Sequence, residues 1–275
     1  MPDFGIIGLA IVLAIFFVSY KGFKDPAYLD RYAFRVADIS HGRQYYRLLT
    51  SGFLHTGWRH LVLNLLTFYF FSGSVEVMLG YRNFLLLYGA SLVGGNLFSL
   101  LLHRHEEDYS AVGASGAISG LVFAAITLYP GIEVGMLGLF VPGWLYGMLY
   151  VVISAYGITA RRDNIGHDAH LGGGLVGLLV VVCLQPELLR TNYLPIIAIL
   201  APALGFFYLL IKRPEALVLG NLFGRSPAYQ TVDDKYYAQQ RQQEQDLDYL
   251  LDKISHKGLD SLSTKEKAKL EKLSR

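Results

Sequence analysis

The sequence predicts an all-α, polytopic membrane protein that ends in a short soluble helical tail. Three observations predict it. Of 275 residues, 53% are hydrophobic and only 17% are charged, against roughly 25% charged in an ordinary soluble domain. Mean hydropathy is +0.36. The apolar residues are also concentrated: long runs fill 1–211, and beyond Lys212 the chain turns polar.

A spanning helix needs roughly 20 mostly apolar residues. Seven stretches qualify or nearly do: 4–20, 60–80, 83–102, 113–129, 142–158, 168–185 and 193–211. The first and fifth are short, and apolar residues at 132–141 leave room for the fifth to begin earlier. Tyr129-Pro130-Gly131 is a turn signal closing the fourth, and Gln185-Pro186 closes the sixth. Residues 4–20 lack a basic leader and a small-residue cleavage site, so they read as a retained helix. The segment 21–56 fits no span. It mixes Lys21, Lys24, Arg31, Arg35, Arg43 and Arg47 with aromatics, as expected of a segment in the membrane interface with its basic heads reaching water.

The membrane domain is therefore expected over 1–211 and the charged tail over 212–275. In the tail, 242–256 reads as a helix stopped by Gly258, and Ser263-Thr264-Lys265-Glu266 has the spacing of a capping box. Net charge is +2, and no basic patch interleaved with aromatics is present, which argues against a nucleic-acid partner. The single cysteine, Cys183, lies in an apolar run and excludes an intrachain disulfide framework.

Polar side chains in apolar helices cost several kcal/mol and mark function by default. His60 and Asn64 are four residues apart at the start of the second span, so they share a helix face. Two donors in one dry patch can hold an oxyanion, or simply bond a neighbouring helix. His55, near the membrane surface, reads as structural. So does Glu76, which lies about 24 Å along the axis from His60 at 1.5 Å per residue and is expected to tie nearby backbone groups.

The fourth span opens Gly113-Ala114-Ser115-Gly116-Ala117-Ile118-Ser119-Gly120. Gly116 and Gly120 permit a close helix crossing. Ser115 sits where free N–H groups and the positive helix end favour an oxyanion. The sixth span carries His170, with Gly173 and Gly177 allowing a second close crossing. Serine is a weak nucleophile until a base takes its proton, and His170 can be that base. Asp168 is two residues from His170 and does not share its helix face, so a Ser–His dyad is expected rather than a triad.

Together these elements resemble the rhomboid family of intramembrane serine proteases. The matching residues are His60 and Asn64 as H-x-x-x-N, Gly113-Ala114-Ser115-Gly116 as G-x-S-G, and Ala169-His170-Leu171-Gly172-Gly173 followed by Gly177. Glu76 and Gly80 match the family's ending to the second span. The resemblance covers about 40–185 and implies a six-helix core, with 193–211 as an added seventh span. It implies Ser115 as nucleophile, His170 as base, and His60, Asn64 and the Ser115 N–H as oxyanion hole. Gly113, Gly116, Gly173, Gly177, His55, Glu76 and Arg47 would give structural support. Substrates would be transmembrane segments of other proteins, reached laterally from the lipid bilayer past a mobile fifth span. No cofactor or metal is implied, and a bacterial inner membrane is the expected location.

Two positions depart from the family pattern. Tyr46-Arg47 stands for the usual Trp-Arg in the first loop. Ser119 occupies a position, four residues after the nucleophile, where the family often places an aromatic against the catalytic histidine. Another side chain must then orient His170. Lysine and arginine counts put 21–56 and the tail in the cytoplasm, whereas the family topology puts them outside. Rival readings are an inactive rhomboid-like binder of transmembrane clients and a transporter using the buried histidines. Zinc and aspartyl intramembrane proteases lack their motifs here: there is no H-E-x-x-H and no aspartate pair within spans.

Overall fold

A computed structural model describes residues 5–136, 139–160, 165–212 and, in the C-terminal segment, 246–256, 258, 261–263, 266–267 and 269–270. In chain order the elements are α1 (Ile6–Lys24), α2 (Pro26–Tyr32), β1 (Phe34–Arg35), α3 (Val36–Ser40) and α4 (Arg47–Thr50), which runs into a 3-10 turn at Ser51–Phe53. There follow α5 (Trp58–Leu102), β2 (Ser110–Ala111), α6 (Ser115–Leu128), β3 (Glu133–Met136), β4 (Leu139–Pro142), α7 (Gly143–Ala160), α8 (His167–Leu184), α9 (Leu188–Thr191) and α10 (Tyr193–Lys212). Among the described residues, each of the seven apolar stretches is mostly helical. Five helices among the described residues are long and apolar enough to cross a membrane: α1, α5, α7, α8 and α10.

The 45 residues of α5 hold the second and third stretches, broken at Gly80 (φ 73°, ψ 161°). That conformation is strained for any residue with a Cβ, which is why a glycine stands there. The start of α5 is extended backbone at Gly57, and its end is capped at His103.

Packing sorts the helices. Every residue of α6 from Gly116 to Leu128 is buried. The outer helices carry exposed Leu13, Phe17, Leu66, Phe70, Val152 and Leu204, apolar surface of the kind a bilayer covers. Cys183 is exposed on this exterior. With 14 residues, α6 is about 21 Å long at 1.5 Å per residue, shorter than a hydrocarbon core of roughly 30 Å. A helix that short cannot reach both faces, so one end lies recessed.

Glycines set the central spacing. A Cβ on Gly173 would fall on the Gly116 carbonyl oxygen, and one on Gly177 would fall on the Gly120 backbone. A Cβ on Gly116 would come 3.2 Å from the Ala169 carbonyl oxygen, and one on Gly95 would come 2.6 Å from that same oxygen. Thus α5, α6 and α8 meet backbone to backbone, as small-residue crossings do in membranes.

Two expectations are corrected. Residues 132–141 do not extend the fifth span. Within them β3 and β4 pair antiparallel, with Glu133 opposite Pro142 and Val134 opposite Val141, because a short apolar run carries no period that separates strand from helix. In the 21–56 segment, Arg47 does not reach for water. It is buried (4% exposed) and donates to the carbonyls of Asp30 and Ala33 at 2.7 Å and to Gln44 Oε1 at 2.8 Å. Asp38 pairs with it at 3.0 Å. A planar guanidinium with five donors suits this role, gathering loop carbonyls that have no other partner.

Glu76 acts at long range. Its Oε1 accepts from the Ile7 N–H at 3.1 Å and its Oε2 from Gly8 N–H at 2.8 Å. These are first-turn donors of α1, whose own N-cap Gly5 supplies no side chain. The carboxylate thus caps a different helix, where the positive dipole end favours it. Glu76→Ala is expected to leave two donors unsatisfied and to cost roughly 1–3 kcal/mol. A lowered thermal unfolding midpoint in detergent checks this.

The chain divides into two compact units, Met1–Tyr229 and Gln230–Arg275. In the second, 246–256 are helical, while 242–245 of the expected helix lie outside the described residues. Gly258 (φ 75°) donates to Ile254 at 2.8 Å, ending the helix. The capping box forms: Glu266 Oε2 accepts from the Ser263 N–H at 2.7 Å, and the Glu266 N–H donates to Ser263 Oγ at 3.4 Å.

Candidate active site

Ser115 is the first residue of α6. It follows Ala114 (φ −74°, ψ −5°), with no side chain capping the helix, so first-turn N–H groups face outward from the helix end. Gly113 precedes it at φ 141°, left-handed backbone that favours glycine. The Gly113 N–H donates to the Ser51 carbonyl at 3.0 Å. Ser51 is held in turn, because Asn96 donates to its Oγ at 3.1 Å and to the Leu48 carbonyl at 2.8 Å. The first loop therefore sets the turn that presents Ser115.

His60 stands across Gly113 from Ser115. A Cβ on Gly113 would lie 3.0 Å from His60 Cε1 and Nε2 and 3.6 Å from Ser115 Oγ. The two side chains thus border one small space that glycine leaves open. Asn64 is buried and spends one amide hydrogen on the His60 carbonyl at 3.0 Å, leaving a second. Thr56 Oγ1 is 3.4 Å from His60 Nδ1.

His55 packs edge-on to His60, with ring centroids 4.7 Å apart. Its bonds define a proton order. The Ala114 N–H donates to Nε2 over a long 3.5 Å, so Nδ1 carries the hydrogen and gives it to Ser19 Oγ at 2.9 Å, which donates on to the Phe53 carbonyl at 2.9 Å. Neutral His55 thereby joins α1, the first loop and the residue preceding Ser115. Burial, with His60 adding to it, holds its imidazole well below the ordinary value of 6.5.

His170 lies in the first turn of α8, half-buried, its N–H bonded to the Gly166 carbonyl at 3.0 Å. Its ring centroid is 6.2 Å from that of His167 and 6.3 Å from that of Tyr150 on α7. The contact of Gly116 with the Ala169 carbonyl puts the neighbours of Ser115 and His170 against each other. The two residues thus lie at the same level of the α6–α8 crossing.

Asp168 is engaged elsewhere. Ser99 Oγ donates to its Oδ2, Tyr109 OH lies at 3.3 Å and His103 Nε2 at 3.2 Å. His103 also meets Glu106 at 2.9 Å and stacks on Tyr109 with centroids 3.6 Å apart. This cluster fixes the start of α8 to the end of α5. Sequence reasoning missed it, although the unexplained Asp168 was its visible sign.

The two histidine environments have opposite pH signs. For His55, folded below its unfolded value, stability is complete above about pH 6.5 and is lost as pH falls below it. For His103, burial lowers the value, but the hydrogen bonds and charges of Asp168 and Glu106 outweigh it and raise the result. Its contribution is complete below about pH 6.5 and is lost as pH rises through the folded value. A thermal-unfolding profile against pH is expected to be a dome. His55→Gln flattens the acid limb and His103→Ala the alkaline one.

Comparison with known proteins now decides the family. The Rhomboid domain model matches residues 42–187, more than half of the chain. The chain belongs to the rhomboid family. It is an integral, multi-pass member of a family of intramembrane serine proteases. RHOMBOID-like protein 12, mitochondrial, of Arabidopsis thaliana is 29% identical over 191 residues, 63% of this chain and 56% of that protein. Rhomboid protein 1, mitochondrial, of Saccharomyces cerevisiae is 34% identical over 137 residues, 48% and 40% of the two chains. The putative rhomboid protease YdcA of Bacillus subtilis is 30% identical over 187 residues, 66% and 88%. The chain thus spans about half the length of the first two of these relatives. A family of unknown function (DUF6576) matches 230–275.

Proposed function

We propose that this rhomboid is an active endopeptidase that cuts transmembrane segments of other membrane proteins, with Ser115 as nucleophile and His170 as general base. The observation that carries the proposal is the convergence at one end of α6. There Ser115 opens the helix, His60 borders the same space across Gly113, and the residues next to Ser115 and His170, Gly116 and Ala169, pack against each other.

The steps follow from the chemistry. Ser115 Oγ attacks the carbonyl carbon of the scissile peptide while His170 takes its proton. The carbonyl oxygen becomes an oxyanion, held by the Ser115 N–H at the positive end of α6, by His60 and by the second amide hydrogen of Asn64. His170 gives its proton to the departing amine, and the C–N bond breaks to leave an acyl ester on Ser115. Water, deprotonated by His170, then attacks the ester and releases the new carboxylate. Substrate must locally unwind, because a helical carbonyl is already hydrogen-bonded. We assign the membrane domain to 1–211 and the charged tail to 212–275, with all of this chemistry in the former. His55, Arg47 and Glu76 support the site from outside it, and Gly113, Gly116, Gly173 and Gly177 set its spacing.

A serine-directed fluorophosphonate tests the assignment independently of substrate. Peptide mass spectrometry is expected to find the adduct on Ser115 in the unaltered protein, with labelling at least about a hundredfold slower in His170→Ala. An adduct on another serine, or labelling indifferent to His170, contradicts the proposal.

A further inference from the structure

Tyr150 lies on α7, remote in sequence from both members of the dyad, yet its ring meets that of His170 and its hydroxyl reaches the Ser115 backbone through Ser119. Its hydroxyl is 2.6 Å from Ser119 Oγ. Ser119 Oγ in turn donates to the Ser115 carbonyl at 2.8 Å. That donation uses the serine's only hydrogen, so Tyr150 is the donor in the pair. The resulting relay has a single direction, from Tyr150 through Ser119 to the backbone of Ser115. The Tyr150 ring, meanwhile, is tilted 37° to the His170 imidazole with centroids 6.3 Å apart. Phe123 of α6 meets it edge-on at 5.4 Å, and the Tyr146 ring lies 6.0 Å away.

From this geometry we infer that Tyr150 is a positioning residue: linked through Ser119 to the Ser115 backbone by its hydroxyl, it holds the His170 imidazole in register with the nucleophile by its ring. The inference rests on the reading of Ser115 and His170 as the dyad. A base must be held within a narrow range of its proton donor, and a displacement near 1 Å costs about a hundredfold in rate. An imidazole has two rotatable bonds and needs a wall. In the first turns of α6 the side chains of Gly116, Ala117 and Ser119 are too small to make one. Tyr150 supplies it from a third helix, and its hydroxyl bond keeps the wall in register with Ser115. Because Tyr150 rides on α7, a displacement of α7 that breaks the Ser119 bond also releases the imidazole. The site is thereby sensitive to whatever seats against α7.

The test compares Tyr150→Ala, Tyr150→Phe and Ser119→Ala with the unaltered protein, Ser115→Ala and His170→Ala. All are full-length in proteoliposomes, with a single-span substrate carrying small residues near one membrane face. The rate is followed against pH. Among the described residues, the titratable rings that meet the imidazole are His167 on its own helix and Tyr150 on α7, with Tyr146 beyond Tyr150, and the acid limb of kcat is the readout of the base. Tyr150→Ala is expected to lower kcat about a hundredfold with KM within twofold, and to move the acid limb. Tyr150→Phe and Ser119→Ala, which keep the ring and lose only the hydroxyl relay, are expected to lose threefold to tenfold and to leave the limb in place. A residue that merely fills space would alter thermal stability without moving the limb. Unchanged kcat and limb in Tyr150→Ala overturn the inference, and so does a raised KM at unchanged kcat, which would make Tyr150 a substrate contact. If Tyr150→Ala does not fold, the other two variants decide, and full activity in both overturns it. Inactive Ser115→Ala and His170→Ala beside normal Tyr150 variants sink this inference alone. Cleavage that survives in Ser115→Ala removes the dyad and the inference with it.

Discussion

His170→Ala is expected to slow cleavage of a transmembrane substrate by about ten-thousandfold, and Ser115→Ala by as much. The reason is that the two side chains act as one unit. Without the imidazole the Ser115 hydroxyl keeps its proton and is a poor nucleophile. Without the hydroxyl the imidazole has nothing to activate but water. The double variant is therefore expected to be no slower than either single one, a non-additivity that independent contributions would not produce. Folding should survive, because both side chains are only half-buried. Matching thermal midpoints, measured beside the rates, separate lost chemistry from lost structure.

Gly173→Ala is the second large effect. A methyl group there would fall on the Gly116 carbonyl oxygen and also come 3.0 Å from the Ser91 carbonyl oxygen. Both obstacles are backbone, so no rotamer change relieves them, and α8 must move away from α6 and α5. Overpacking of this kind typically costs about 1–3 kcal/mol. The larger consequence is at the site, since Gly116 and Ala169 sit beside Ser115 and His170. A shift near 1 Å there predicts a loss of about a hundredfold or more in kcat. Gly89→Ala is the control. Its added methyl meets no atom within 4 Å, so it is expected to leave rate and stability almost unchanged.

Much of the fold could be read from sequence because its signals are local. Run length marks each span, and His60, Ser115 and His170 stand out as polar residues in apolar surroundings. Glycines spaced at four announce close crossings on α6 and α8. What stayed illegible depends on partners distant in the chain. Glu76 caps α1 across nearly seventy residues, and Arg47 turns inward because the carbonyls of Asp30 and Ala33 wait there. The β3–β4 pairing was hidden by a run too short and too uniform to carry a period. The partners of Asp168, namely Ser99, His103 and Tyr109, come from another helix and a loop. Tyr150 was the least visible of all. The sequence offered only a gap, Ser119 where an aromatic would be expected, and the side chain that fills it arrives from α7.

The most direct measurement follows the purified full-length protein in proteoliposomes with a single-span substrate, comparing it with Ser115→Ala and locating the cut by mass spectrometry. The expected result is one cut within or at the edge of the substrate's transmembrane segment, absent with Ser115→Ala. The same cut, made at the same rate by both proteins, would contradict Ser115 as the nucleophile.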